Sequence, residues 1–169
     1  MNMIEEIEQD LITIAEYGKI NEYENEEFQF YLEGQDPDEV DERVNRLFEE
    51  IEAEIDCMEC ANCCKMQSPV IREAELWNIS DYFDMDPETF KEEYLDFNGD
   101  QMVMKQNPCV FLKNNLCTIY EFRPADCASY PHLDQRGIVF KLSGIMGNYS
   151  VCPIVFNVIE DLKKEMGFI

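Results

Sequence analysis

Along the first third of the chain, apolar residues return every three or four positions among acids. Ile4, Ile7, Leu11 and Ile14 form one such series, predicting a helix that Gly18 and Lys19 stop. A second helix is expected from Glu22 to Leu32, ending at Gly34. The third has the fullest set of signals. Asp36 can accept hydrogen bonds from its first free amides, Pro37 suits the first helical position, and acids fill the first turn. Its apolar positions Val40, Val44, Leu47, Phe48, Ile51 and Ile55 fall on one stripe, which must pack on something, most simply the cysteine-rich body that begins at Cys57.

Beyond residue 56 the period is mixed. Ser68-Pro69 reads as a loop and Glu73 to Tyr82 as a helix. Asp86-Pro87-Glu88 opens another helix, running to Leu95, and Asn98-Gly99-Asp100 is a turn before a strand from Gln101 to Lys105. Val110 to Leu112 and Leu116 to Tyr120 flank Lys113-Asn114-Asn115, the pattern of a β-hairpin. Gly137 to Leu142 is read as a further strand, and Pro153 to Met166 as a last helix. The fold expected is α+β: an acidic helical extension over residues 1–55, then a small, mainly helical cysteine-cluster domain over 56–169 with short hairpin strands.

Charge sharpens that division. The 169 residues carry 37 acids against 13 bases, a net of −24, and residues 1–56 alone hold 20 acids and three bases. Such a field repels phosphate backbones and anionic lipid, so neither nucleic acid nor membrane is an expected partner. A solvated acidic face that keeps the protein soluble is the favoured reading of the excess, and a basic protein partner bound through the acidic N-terminal extension is the alternative. No run of about 18 apolar residues is present to span a bilayer. The opening Met1-Asn2-Met3-Ile4-Glu5-Glu6 is acidic where a secretion signal is basic, so a cytoplasmic protein is expected.

In a reducing compartment, eight cysteines mean metal or redox chemistry rather than disulfides. Residues 57–64 read Cys57-x-x-Cys60-x-x-Cys63-Cys64, and two-residue spacing lets thiolates converge on one metal, as in zinc ribbons and ferredoxins. A second group comprises Cys109 and Cys117, which bracket the hairpin, then Cys127 and Cys152. Eight thiols could fill two four-thiolate sites, or one cluster with ligands to spare. Adjacent side chains usually point apart, so Cys63 and Cys64 are expected to serve different centres or to leave one outside.

The Cys57–Cys64 block, Cys109-Val110-Phe111-Leu112, Cys117-Thr118-Ile119-Tyr120-Glu121 and Arg123-Pro124-x-x-Cys127-x-x-Tyr130-Pro131 together resemble the YkgJ-type cysteine-cluster family, whose proteins are described as zinc- or iron-chelating. The resemblance covers about residues 55 to 155 and excludes the acidic extension. It implies metal binding. This chain has Cys127-Ala128-Ser129 where relatives often carry an arginine after the cysteine. Thiolate ligation suits zinc and an iron–sulfur cluster alike. The Cys-x-x-Cys-x-x-Cys run and Cys152-Pro153 tip the choice slightly toward a 4Fe–4S cluster.

Other residues weigh less. His132, the only histidine, could replace a thiolate or move protons, though a lone histidine is more often structural. Arg123 could offset thiolate charge or bond a local carbonyl. Trp77, Tyr82 and Phe83 are expected in the core. One histidine permits no Ser-His-Asp set, no phosphate loop is present, and no carboxylate pair stands out, so no catalytic residue is assigned. Three functions follow: a metal-binding module of structural or regulatory role, an iron–sulfur redox protein or oxidoreductase component, and a metal carrier. The first is favoured because no substrate or nucleotide site can be named.

Overall fold

The computed structural model describes residues 7–169, so Ile4 lies outside the described residues. In chain order the helices are α1 (Leu11–Ile20), α2 (Glu22–Glu33), α3 (Pro37–Glu52), the short α4 (Cys57–Cys60) and α5 (Asn62–Met66), α6 (Leu76–Asp81), α7 (Pro87–Tyr94), α8 (Ala125–Ser129), α9 (Leu142–Gly147) and α10 (Pro153–Glu165). The strands are β1 (Val70–Ile71), β2 (Leu95–Asn98), β3 (Gln101–Met104), β4 (Leu112–Lys113) and β5 (Leu116–Cys117). It is a mainly helical α+β chain, as expected. Among the described residues, no helix is long and apolar enough to cross a membrane.

The chain forms two units. One contains the residues up to Asp56 together with Pro131–Ile169; the other is Cys57–Tyr130. Residues 131–169 thus cluster with the N-terminal helices, and the helical unit is discontinuous in sequence.

In the helical unit, α3 is organised as its sequence predicts. Asp36 Oδ1 accepts from the amides of Asp38 and Glu39, both at 3.1 Å. Val40, Val44, Leu47, Phe48 and Ile51 are buried, and α3 packs on α10. Helix α1 starts at Leu11, with Asp10 Oδ1 accepting from the Thr13 amide at 2.7 Å. Gly18 does not stop it. A Cβ at Gly18 would overlap Ser150 Cβ and lie 3.2 Å from Ser150 Cα, so the glycine admits a close approach. The segment read as a strand from Gly137 is a 3-10 turn, Ile138–Lys141. Buried Asp41 explains the change: its carboxylate accepts from the amides of Gly137 at 2.7 Å and Ile138 at 2.9 Å, using donors that a strand would offer to a neighbour.

The second unit is built on an antiparallel sheet in the order β1-β3-β2, and a separate hairpin pairs β4 with β5. The turn at Gly99 (φ 61) joins β2 to β3, placing Leu95 opposite Met104 and Asn98 opposite Gln101. The β4–β5 turn is Asn114-Asn115, at φ 50 and 64. Two positive φ values match the right-handed strand twist, and asparagine tolerates them better than most residues. Ile71, Leu76, Ile79, Phe90, Leu95, Met104, Phe111 and Ile119 form the buried core. Trp77 departs from expectation: it is 72% exposed, because α6 turns Leu76 and Ile79 inward instead.

Candidate metal centre

Seven of the predicted ligands lie in the Cys57–Tyr130 unit. Cys57 and Cys60 are the ends of α4, while Cys63 and Cys64 lie on α5. Between the two helices Ala61 takes a left-handed φ of 48, a conformation costing an L-residue about 1 kcal/mol. The Ala61 amide still closes onto Cys57 O at 2.9 Å. That kink redirects the chain between the two cysteine pairs.

Cys109 is set beside this segment by the main chain: its amide donates to Cys64 O at 2.8 Å. Its own carbonyl accepts from the Leu112 amide at 2.9 Å, starting the hairpin whose far strand ends in Cys117. The hairpin turn is tied back to α4, since Asn115 Nδ2 donates to Glu59 O at 2.6 Å. Cys127 lies on α8, which two carboxylates fix. Asp126 Oδ2 accepts from the Val70 amide at 2.9 Å. Glu75 accepts from the Ala125 amide through Oε1 at 2.7 Å and from the Arg72 amide through Oε2 at 2.8 Å. Glu75, Asn115 and Asp126 are positioning residues that the sequence reading missed. Glutamates and aspartates are too common in this chain to stand out, and a turn asparagine gives no sign of its side chain's target.

These anchors leave Cys64, Cys109, Cys117 and Cys127 within one another's electrostatic reach. Burial pushes the Cys127 thiol up to about 12, and Cys109, Cys64, Asp126 and Cys117 add to the effect. Cys109 is raised by burial, then by Cys64 and Cys117. Cys117 is raised by burial and Cys64, with Arg123 opposing. Cys64 behaves differently: a hydrogen bond from the Cys63 thiol and the charge of Lys65 bring it down to about 7.

Arg123 fills both roles considered for it. Its Nη1 donates to Tyr120 O at 2.9 Å, the guanidinium lies 3.8 Å from the centre of the Tyr120 ring, and its charge favours the Cys117 thiolate. Lys65 Nζ donates to Cys60 O at 3.4 Å. Cys152 belongs to the helical unit, buried at the start of α10. His132 is there too, at φ 64, with Nδ1 3.5 Å from Gln135 Nε2.

Among the described residues, no group of three or more His, Cys, Asp or Glu side chains is placed to hold a metal ion. The donor set nevertheless fits a thiophilic metal. It is sulfur-rich, its members come from separate anchored elements, and mutual repulsion of buried thiolates is what a cation would offset.

A family model described as "CxxCxxCC: Putative zinc- or iron-chelating domain" matches residues 56–153. No curated protein matches the chain, and neither does any solved structure.

Proposed function

From the premise that this chain belongs to the CxxCxxCC family, we propose that it is a thiolate metal-binding module of structural or regulatory role, holding its metal through Cys64, Cys109, Cys117 and Cys127. The single observation behind this reading is that hydrogen bonds tie together the elements carrying these thiols: the Cys109 amide donates to Cys64 O at 2.8 Å, Cys109 O accepts from Leu112 at the start of the hairpin that ends in Cys117, and Asp126 beside Cys127 accepts from the Val70 amide at 2.9 Å. Cys57, Cys60 and Cys63 stay candidates for the same centre, since α4 and α5 adjoin it in the chain.

The structural role follows from how little each element can do alone. Helices α4, α5 and α8 have four or five residues, and β4 and β5 have two each. Helices this short are unstable in isolation, and so is a lone two-stranded hairpin. A metal joining them would couple its binding energy to folding. Bound zinc would supply a redox-silent cross-link, whereas an iron–sulfur cluster would supply an electron site.

The test is elemental analysis and a visible spectrum of protein purified without oxygen, followed by melting with and without chelator. Stoichiometric zinc, no colour and a lower melting temperature after metal removal support the module. Iron with acid-labile sulfide and absorption near about 400 nm would replace the structural role with a redox one. Failure to retain any metal, even after reconstitution, would overturn metal binding.

A further inference from the structure

Helix α2 has two faces, and only one is used by the helical unit. Asn25, Phe28 and Leu32 point inward and are buried. On the other side, Tyr23, Glu26, Glu27 and Phe30 follow the i, i+3, i+4, i+7 spacing of a single helix face. Tyr23 is 70% exposed and Phe30 is 73% exposed, two turns or about 10 Å apart along the axis. Ile20, also 73% exposed, stands three residues before Tyr23. Exposed large rings cost solvation, and the buried face shows that the fold does not need them for its core.

Charge says what covers this face. Helix α2 has no basic residue, and it carries Glu22, Glu24, Glu26, Glu27 and Glu33. Glu24 is engaged by Lys163, whose Nζ lies 2.6 Å away, Arg43 and Arg46 pair with Glu39, Glu50 and Glu165, and among the described residues no ion pair joins Lys19, in the last turn of α1, to α2. Glu27 stands four residues after Tyr23 on the same helix face, so the ring lies beside the acids. Among the described residues, no ion pair reaches Glu22, Glu26 or Glu27. The surface is therefore two aromatic anchors with uncompensated acids between and around them.

We infer that this face of α2 docks a basic amphipathic helix of a protein partner. Its apolar side would meet Tyr23 and Phe30, and its lysines or arginines would meet Glu22, Glu26 and Glu27. Helix recognition commonly uses anchors at this spacing, and aromatic residues carry much of the energy in such contacts. The acids speed encounter and select the sign of the partner. They also disfavour nucleic acid and anionic lipid. The inference does not depend on which metal the cysteines hold.

The probe is a 14-residue amphipathic leucine/lysine peptide, titrated calorimetrically into the full metal-loaded chain. The controls are its leucine/glutamate counterpart and a scrambled leucine/lysine peptide with no apolar helix face. Overall charge alone would attract any cationic peptide, so the deciding variant, Tyr23→Ser with Phe30→Ser, leaves the charge unchanged. Both side chains are exposed, and circular dichroism verifies that the variant is folded. The ordered cationic peptide should bind about tenfold more tightly than either control, and the double variant should lose about tenfold in affinity. Glu26→Gln with Glu27→Gln should flatten the dependence on salt. Three results would each overturn the inference: no binding, equal binding of the scrambled peptide, or binding indifferent to the serine substitutions. A dimer in sedimentation that dissociates on Phe30→Ser would also overturn it, assigning the face to a second copy of the chain.

Discussion

The amide of Cys109 donates to the carbonyl of Cys64 at 2.8 Å, so these two candidate ligands are joined through the main chain. A thiol can then be removed without undoing the link. We predict that the metal-free forms of Cys109→Ser and of the unsubstituted protein melt at the same temperature, within a degree or so. The metal-loaded forms should separate, because the variant loses the stabilisation that binding supplies. Thermal melts beside elemental analysis measure both. Equal metal content and equal melting of the loaded forms would remove Cys109 from the ligand set.

Asn115 connects the hairpin turn to the Cys57–Cys60 segment. Its φ of 64 suits glycine, so Asn115→Gly preserves the turn while deleting the 2.6 Å bond from Nδ2 to Glu59 O. Stability should change by less than about 1 kcal/mol, because the backbone gain offsets the lost hydrogen bond. Metal release to a competing chelator should become several-fold faster, as for other supporting contacts around metal ligands. Stopped-flow release kinetics measure this, and an unchanged rate would show that the Asn115 contact holds only the turn.

In α1, Gly18→Ala reverses the usual rule. Alanine in a helix interior is ordinarily better than glycine by about 1 kcal/mol. Here the new Cβ would run into Ser150, whose Cα backbone atom cannot swing away as a long side chain would. A net loss of about 1–2 kcal/mol is expected from overpacking. Ser150→Gly should recover part of it in the double variant, and urea unfolding of the four-member cycle measures the coupling. Additive effects would mean that the two sites do not meet.

Local signals in the chain were readable wherever local chemistry decides the outcome. Asp36-Pro37 and Asp86-Pro87 both open helices, with the aspartate accepting from the first amides. Asn114-Asn115 makes the tight turn, and Pro153 begins α10. What escaped was set from far along the chain. Leu95 reads as the end of a helix, yet pairing of Leu95–Asn98 with Gln101–Met104 makes it the first residue of a strand. Gly137 was misread because its partner, Asp41, is 96 residues away. The site divides in the same way. Cysteine spacing announced the metal chemistry, but the proposed grouping of Cys64, Cys109, Cys117 and Cys127 is argued from bonds such as Val70 to Asp126, which no spacing reveals.

The helical unit also contains a group whose titration can be followed. Tyr149 is buried; its hydroxyl donates to Glu160 Oε1 at 2.7 Å and accepts from Asn21 Nδ2 at 3.0 Å. Burial, then the neighbouring Glu160 carboxylate, holds its proton well above the ordinary tyrosine range. In the unfolded chain the same hydroxyl ionises near about pH 10. Below that pH both states keep the proton, so the stabilisation from Tyr149 is fully present. Above it only the unfolded state releases the proton, and that stabilisation falls by about 1.4 kcal/mol per pH unit. Tyr149→Phe has no such proton to lose. It should be less stable by about 1 kcal/mol near pH 8, where the hydroxyl hydrogen bonds are intact. The gap should close between about pH 10 and 11, while titrating groups that touch neither Tyr149 nor Glu160 cancel in the comparison. Urea unfolding of both proteins across that range measures it, and parallel curves would show that Tyr149 ionises as freely in the folded chain as in the unfolded one.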